Sequence, residues 1–129
     1  MADAPSDAAL REQMTRSVMA TLQGWGLSGD AQRMLLGLPA DMRARKMNQF
    51  RSGQALPDEP EVLLRAQLIL QIGNAVASLF PHNLSVANYW ITTQNRHFGQ
   101  RTPLDVMLDG GVEAMERVVA HLNGTGDWY

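Results

Sequence analysis

Metal ligation and proton transfer near neutral pH fall first to histidine, and this chain carries three, His82, His97 and His121. They lie in three separate segments, and no two share a helical face at ligand spacing. They therefore read as scattered surface residues and not as a metal site. The acids form no catalytic pair either: Asp58, Glu59 and Glu61 gather where a helix begins and complement its dipole. With no cysteine, a thiol nucleophile, a disulfide and a thiolate metal site are excluded, which fits a reducing compartment. The sequence holds no nucleophile elbow, HExxH zinc motif, phosphate loop or dinucleotide fingerprint. The expectation is a non-enzyme with no catalytic residues, no metal and no cofactor. A small enzyme with a pocket lined by Arg96 and His97 is the third alternative, behind two binding functions.

Two polar constellations have the composition of binding surfaces. In SGDAQRMLLGLPADMRARKMNQFRSG, residues 28–53, Arg43, Arg45, Lys46, Asn48, Gln49 and Arg51 stand against the single acid Asp41. Cations there would meet phosphates, and Asn or Gln can pair bidentately with an adenine edge. Two short helices around a Gly-containing turn outline a helix-turn-helix. A solvated helix face is the other reading of the same charges. The second constellation, ANYWITTQNRHFGQRTPLDVMLDGG, residues 87–111, opens on Tyr89 and Trp90 and then turns polar. Trp90 sits at core spacing and Phe98 is a second anchor, so Asn95, Arg96, His97 and Gln100 are expected to face outward. A polar loop held between an aromatic-anchored helix and a Pro-started one suits a rigid display surface better than a mobile lid. Past Gly124 and Gly126, Asp127, Trp128 and Tyr129 have no core left to take them and read as an interface anchor on a flexible lead.

The elements that must position these residues are all helical. The chain has 129 residues, 45% of them hydrophobic, enough for one domain or two small ones sharing a core. A net charge of −2 selects no partner. Apolar residues recur at helical spacing nearly everywhere. Leu10, Met14, Val18 and Leu22 stripe a first helix capped by Ser6 or Asp7. A second starts at a Ser28 cap, buries Ala31, Met34 and Leu35, and ends near Gly37. Pro39 opens a third that runs through Phe50, and Pro60 opens a long fourth striped by Leu64, Leu68, Ile72, Val76 and Leu79. A fifth covers about residues 85–92. A short sixth runs from a Thr102 cap to Gly110 and Gly111, and a last one spans 113–122 with Met115, Val118, Val119 and Leu122 inward. The fold class is an all-α small helical bundle, divided near residue 57 into 1–57 and 58–129. The N-terminus carries acids and no apolar core, so no secretory signal is expected. The long apolar stretch is interrupted by Arg65, Gln67, Gln71 and Asn74, which marks a core helix and not a membrane span. The expected location is the cytoplasm.

The run WITTQNRHFGQRTPLDVMLDGG followed by MERVVAHL resembles the toxin-binding domain of the Xre/MbcA/ParS antitoxins. The positions that carry the likeness are Trp90, Asn95, Phe98 with Gly99, Pro103 with Leu104, Met107 with Leu108, and Gly110, over roughly residues 62–123. Upstream, LLGL and FRSGQALP resemble the family's Xre-type helix-turn-helix and its exit, extending the likeness to about residue 22. The segment PADMRARKMNQF departs from the pattern, reading about a turn longer than its counterpart. The resemblance implies an antitoxin that neutralises a RES-type toxin, an NAD-using enzyme similar to ADP-ribosyltransferases, by covering its active-site cleft. It implies self-association, with a homodimer expected inside the toxin–antitoxin complex, and operator DNA as a further partner. The expected toxin contacts are Asn95, Arg96, His97, Gln100 and Arg101 together with Asp127, Trp128 and Tyr129. The expected DNA contacts are Arg43, Arg45, Lys46, Asn48, Gln49 and Arg51. A stand-alone helix-turn-helix regulator is the alternative function.

Overall fold

The computed structural model describes residues 7–124, which form six α-helices and a short 3-10 turn. Helix α1 (Asp7–Gly24) buries Thr15, Val18, Met19 and Leu22. Helix α2 (Gly29–Leu36) starts where the Ser28 hydroxyl accepts the Ala31 N–H, and it stops at Gly37, which sits in the left-handed region at φ 71. Two bonds close that end, from Gly37 N–H to the Met34 carbonyl and from Leu38 N–H to the Arg33 carbonyl. The Arg65 guanidinium lies over Gly37, 2.8 Å from where a β-carbon would stand, and donates to the Met34 and Leu35 carbonyls. A side chain at 37 would clash there as well as strain the backbone.

Helix α3 (Ala44–Arg51) begins later than its Pro39 signal suggests. Pro39 accepts the Met42 N–H in a turn, and Arg43 is extended at φ −83, ψ 155, so the chain enters the helix only after a connector of residues 37–43. The helix has eight residues, which removes the extra turn read into PADMRARKMNQF. Helix α4 (Pro60–Leu79) has proline in its first turn and ends at Phe80, before Pro81. Helix α5 (Leu84–Trp90) is capped by Asn83, which accepts the Val86 N–H. A 3-10 turn, Arg96–Phe98, follows. Helix α6 (Pro103–Asn123) starts on Thr102, whose hydroxyl accepts the Asp105 N–H, and breaks at Gly111 (φ 64, ψ −143) into the two helices expected.

Helix α4 is the hub: α1, α2, α5 and α6 all pack on it, while α3 packs on α1 and α2. It is long and apolar enough to cross a membrane by length and composition, yet Val62, Ala66, Leu68, Ile69, Ile72 and Val76 are buried against those neighbours. One core cluster runs from Val18 and Leu22 through Phe50, Ile69 and Ile72 to Met107, Met115 and Val118, so it draws on both sides of residue 57. The Thr15 hydroxyl, fully buried, accepts the Leu56 N–H at 2.9 Å and donates to the Arg11 carbonyl at 2.7 Å. That pair fastens the loop before α4 to α1.

Three residues expected inside face outward: Leu10, Met34 and Leu64 are 48%, 46% and 42% exposed. For two of them the cause is helical pitch. A four-residue step overshoots a full turn by about 40°, so Leu10 sits about 120° round from Leu22, and Leu64 about 120° from Val76. The buried stripes follow mixed steps instead, as in Thr15, Val18, Met19 and Leu22. In α2 the inward side is taken by Gln32, Leu35 and Leu36, which turns Met34 to solvent.

Candidate functional site

The loop between α5 and α6 is organised around Asn95, which is 4% exposed. Its Oδ1 accepts the His97 N–H at 2.9 Å, and its carbonyl accepts the N–H groups of Phe98 (2.9 Å) and Gln100 (3.1 Å). Its own N–H donates to the Arg101 carbonyl at 3.0 Å, and Leu104 N–H to the Ile91 carbonyl closes the base of the loop. The outward placement expected of Asn95 is therefore wrong. A short amide can satisfy backbone donors at a tight turn, and here that use takes it inside. Arg96, His97 and Gln100 are exposed as expected. Gln100 is left-handed at φ 67, a position unusual for a side chain other than glycine. Arg101 is exposed but anchored: its Nη2 lies 2.9 Å from an Asp109 carboxylate oxygen and donates to the Asp105 carbonyl at 3.2 Å.

Beneath the loop lies an aromatic cluster that corrects the reading of scattered histidines. His121 stacks on buried Trp90 (centroids 6.3 Å, interplanar 15°) and meets Phe98 edge-on at 5.2 Å. The His97 ring stands 4.9 Å from that of His121. Trp90 and Phe98 make a further edge-to-face pair at 6.5 Å, so both serve as the anchors expected of them. Burial, and secondly the charge of His97, hold the His121 pKa below its ordinary value. The separation along the chain hid this meeting. A signal was present in Val118 and Leu122, which flank His121 on the inner face of α6. Among the described residues no group of three or more metal-ligating side chains forms.

Helix α3 presents the second surface. Arg45, Asn48, Gln49 and Ser52 follow the spacing of one helical face and line a shared groove, with exposed Arg43 preceding it. Three of the six expected contacts are otherwise engaged, the first being Asn48, whose Oδ1 accepts from the Arg51 Nη1. The Arg51 Nη2 donates to the Oε1 of Gln32 at 3.1 Å, bracing α3 on α2, and the Lys46 ammonium lies 5.3 Å from the Phe50 ring centroid. Gln32, 2% exposed, also donates to the Leu27 carbonyl. Asp127, Trp128 and Tyr129 lie outside the described residues.

A third surface escaped the sequence reading. Helix α5 leaves Val86 and Tyr89 exposed on neighbouring positions and Leu84 exposed on another side of its first turn, while Ala87 and Trp90 are buried. The alternation of apolar residues in LSVANYW masked which of them point outward.

The described residues thus present a locked polar loop and a polar, basic face of α3 on one helical bundle. Residues 75–125 match the antitoxin Xre/MbcA/ParS C-terminal toxin-binding domain. This stretch runs from the last turn of α4 to the end of α6 and is what the chain has in common with that toxin-binding domain. No curated protein gives a significant match to the chain.

Proposed function

We propose that the protein is the antitoxin of a type II module and that its partner is a RES-domain, NAD-using toxin whose active-site cleft it covers in the cytoplasm. One observation carries the reading: the stretch matched to the toxin-binding domain holds a loop fastened from within by Asn95 and showing Arg96, His97 and Gln100 at its surface. The left-handed Gln100 supports it, because backbone strain of this kind persists where a contact surface is pre-organised. Arg101, fixed by Asp109, lies beside these residues. Asp127, Trp128 and Tyr129 complete the contact set: two rings and an acid resemble the aromatic and anionic features of a dinucleotide. Steric exclusion by a few desolvated anchors suffices, so no chemistry is asked of the antitoxin. The RES assignment rests on the resemblance over residues 62–123.

A second function is supported by the face of α3. Arg45, Asn48 and Gln49 line one groove, and Arg43 lines a neighbouring one with Arg45 and Gln49; these are residue types that contact phosphates and base edges. We propose that a homodimer uses this face to repress its own operon. Co-expression with the product of the adjacent reading frame tests both functions. The expected result is growth rescue and a complex that survives purification. A protein that binds DNA but neither protects cells nor co-purifies is a stand-alone regulator instead.

A further inference from the structure

We infer that α3 reads a guanine through Asn48, whose side-chain amide Arg51 and Gln32 hold with its donor free; the inference rests on the DNA reading of this helix. The chain of bonds starts inside the protein. Gln32 is 2% exposed, and its Nε2 donates to the Leu27 carbonyl at 3.0 Å, which leaves its Oε1 to accept. Arg51 Nη2 donates to that oxygen at 3.1 Å, and Arg51 Nη1 donates to the Oδ1 of Asn48. A guanidinium has donors and no acceptor, so Asn48 can turn only its oxygen toward Arg51. Among the described residues nothing takes its Nδ2. The chain therefore ends at the exposed Asn48 in a donor.

That polarity decides the base. A bidentate contact with adenine needs an acceptor for its N6 amino group beside a donor for N7. The Asn48 oxygen keeps a second lone pair, but an amino group reaching it would meet Arg51, a donor and a cation, at the same atom. Guanine presents N7 and O6 to the major groove, both acceptors, whereas thymine offers O4 alone beside a methyl group. No carboxylate lines the groove of about 370 Å³ around Asn48 to take the amino group of cytosine. Arg45 lines the same groove, is exposed like Asn48, and makes no ion pair among the described residues. Side chains three apart on a helix stand about 5–6 Å from each other, which brings neighbouring base pairs within reach of the two. Asn48 is the specificity-determining contact, and Arg51 is the positioning residue behind it.

The test selects duplexes from a random DNA pool with the full chain, then measures affinity for the enriched site and its single-base variants. The parent is expected to require guanine at a position where Asn48→Ala has no preference, with a loss of roughly five-fold or more confined to the guanine duplex. Asn48→Asp keeps an oxygen for Arg51 and replaces the free donor by an acceptor, so the preference is expected to pass to cytosine. Arg51→Met releases the Asn48 oxygen, and discrimination against adenine at that position is expected to fall by a similar factor. Arg51→Lys, which still donates, is expected to keep it. Should Arg51→Met fail to melt cooperatively, Asn48→Asp, at an exposed position, decides the matter. An adenine preference at the position that Asn48 controls, unchanged preferences in Asn48→Ala, or an equal loss on every duplex overturns the inference and leaves α3 a DNA-binding surface. A parent chain that enriches no duplex overturns the DNA reading, and the inference with it.

Discussion

Asn95 turns a polar run into a rigid loop, because its amide and backbone close four hydrogen bonds within seven residues. Asn95→Ala leaves the His97 N–H without its acceptor, and urea unfolding is expected to show a loss of about 1–3 kcal/mol. Gln100→Ala, on the exposed side of the loop, is expected to move stability by less than about 0.5 kcal/mol. An Asn95→Ala protein with parental stability but no toxin binding would make Asn95 a contact residue after all. His121 gives the loop a pH dependence. Its pKa is lowered by burial and by His97, so between the folded value and the ordinary value of about 6.5 the unfolded chain holds a proton that the folded chain lacks. The stabilisation is complete above that ordinary value and is lost as pH falls through it toward the folded pKa. Unfolding free energies measured from pH 7.5 downward are expected to fall more steeply for the parent than for His121→Phe, which keeps the ring on Trp90; parallel curves would exclude His121 as the source. The residue types of this site were legible in the sequence, whereas the inward turn of Asn95 and the meeting of His97 with His121 depend on how α6 folds back beneath the loop.

At the scale of elements, local chemistry made most boundaries readable. Ser28, Thr102 and Pro60 start helices where their capping and ring geometry dictate, and Gly37 and Gly111 end them with positive φ. Pro39 misled because it precedes a turn and not a helix: the Met42 N–H reaches back to its carbonyl, with Ala40 and Asp41 at the corners. The inward faces of α1 and α4 were misjudged at Leu10 and Leu64 because strict four-residue stripes drift around the helix. The corrected α3 sharpens the DNA test. Lys46 packs on Phe50 and Arg51 braces Gln32, so reversing either would disturb the fold, whereas Arg43 and Arg45 are exposed. Arg43→Glu with Arg45→Glu is expected to weaken operator binding and to lower the slope of log affinity against log salt by roughly 0.9 per lost phosphate contact. Parental affinity and slope would remove α3 from the DNA interface.

The whole molecule places its surfaces around one core, with α5 and α6 carried by α4 and α3 carried by α1 and α2. The all-helical class was readable from apolar spacing alone, and the antitoxin likeness from the order of Trp90, Asn95, Phe98, Pro103 and Gly110. The exposure of Leu84, Val86 and Tyr89 was not, since a seven-residue helix gives too few turns to reveal which side is buried. Removing residues 125–129 is expected to preserve melting and to reduce protection against the toxin in cells; full protection by the shortened chain would shift the inhibitory contact to the loop from Asn95 to Arg101. The most direct measurement is NAD turnover by the purified product of the adjacent reading frame, followed as this protein is titrated in. The account predicts that turnover falls to background at a fixed ratio of the two chains and does so without consumption of the antitoxin. Turnover that persists through a saturating excess would contradict it.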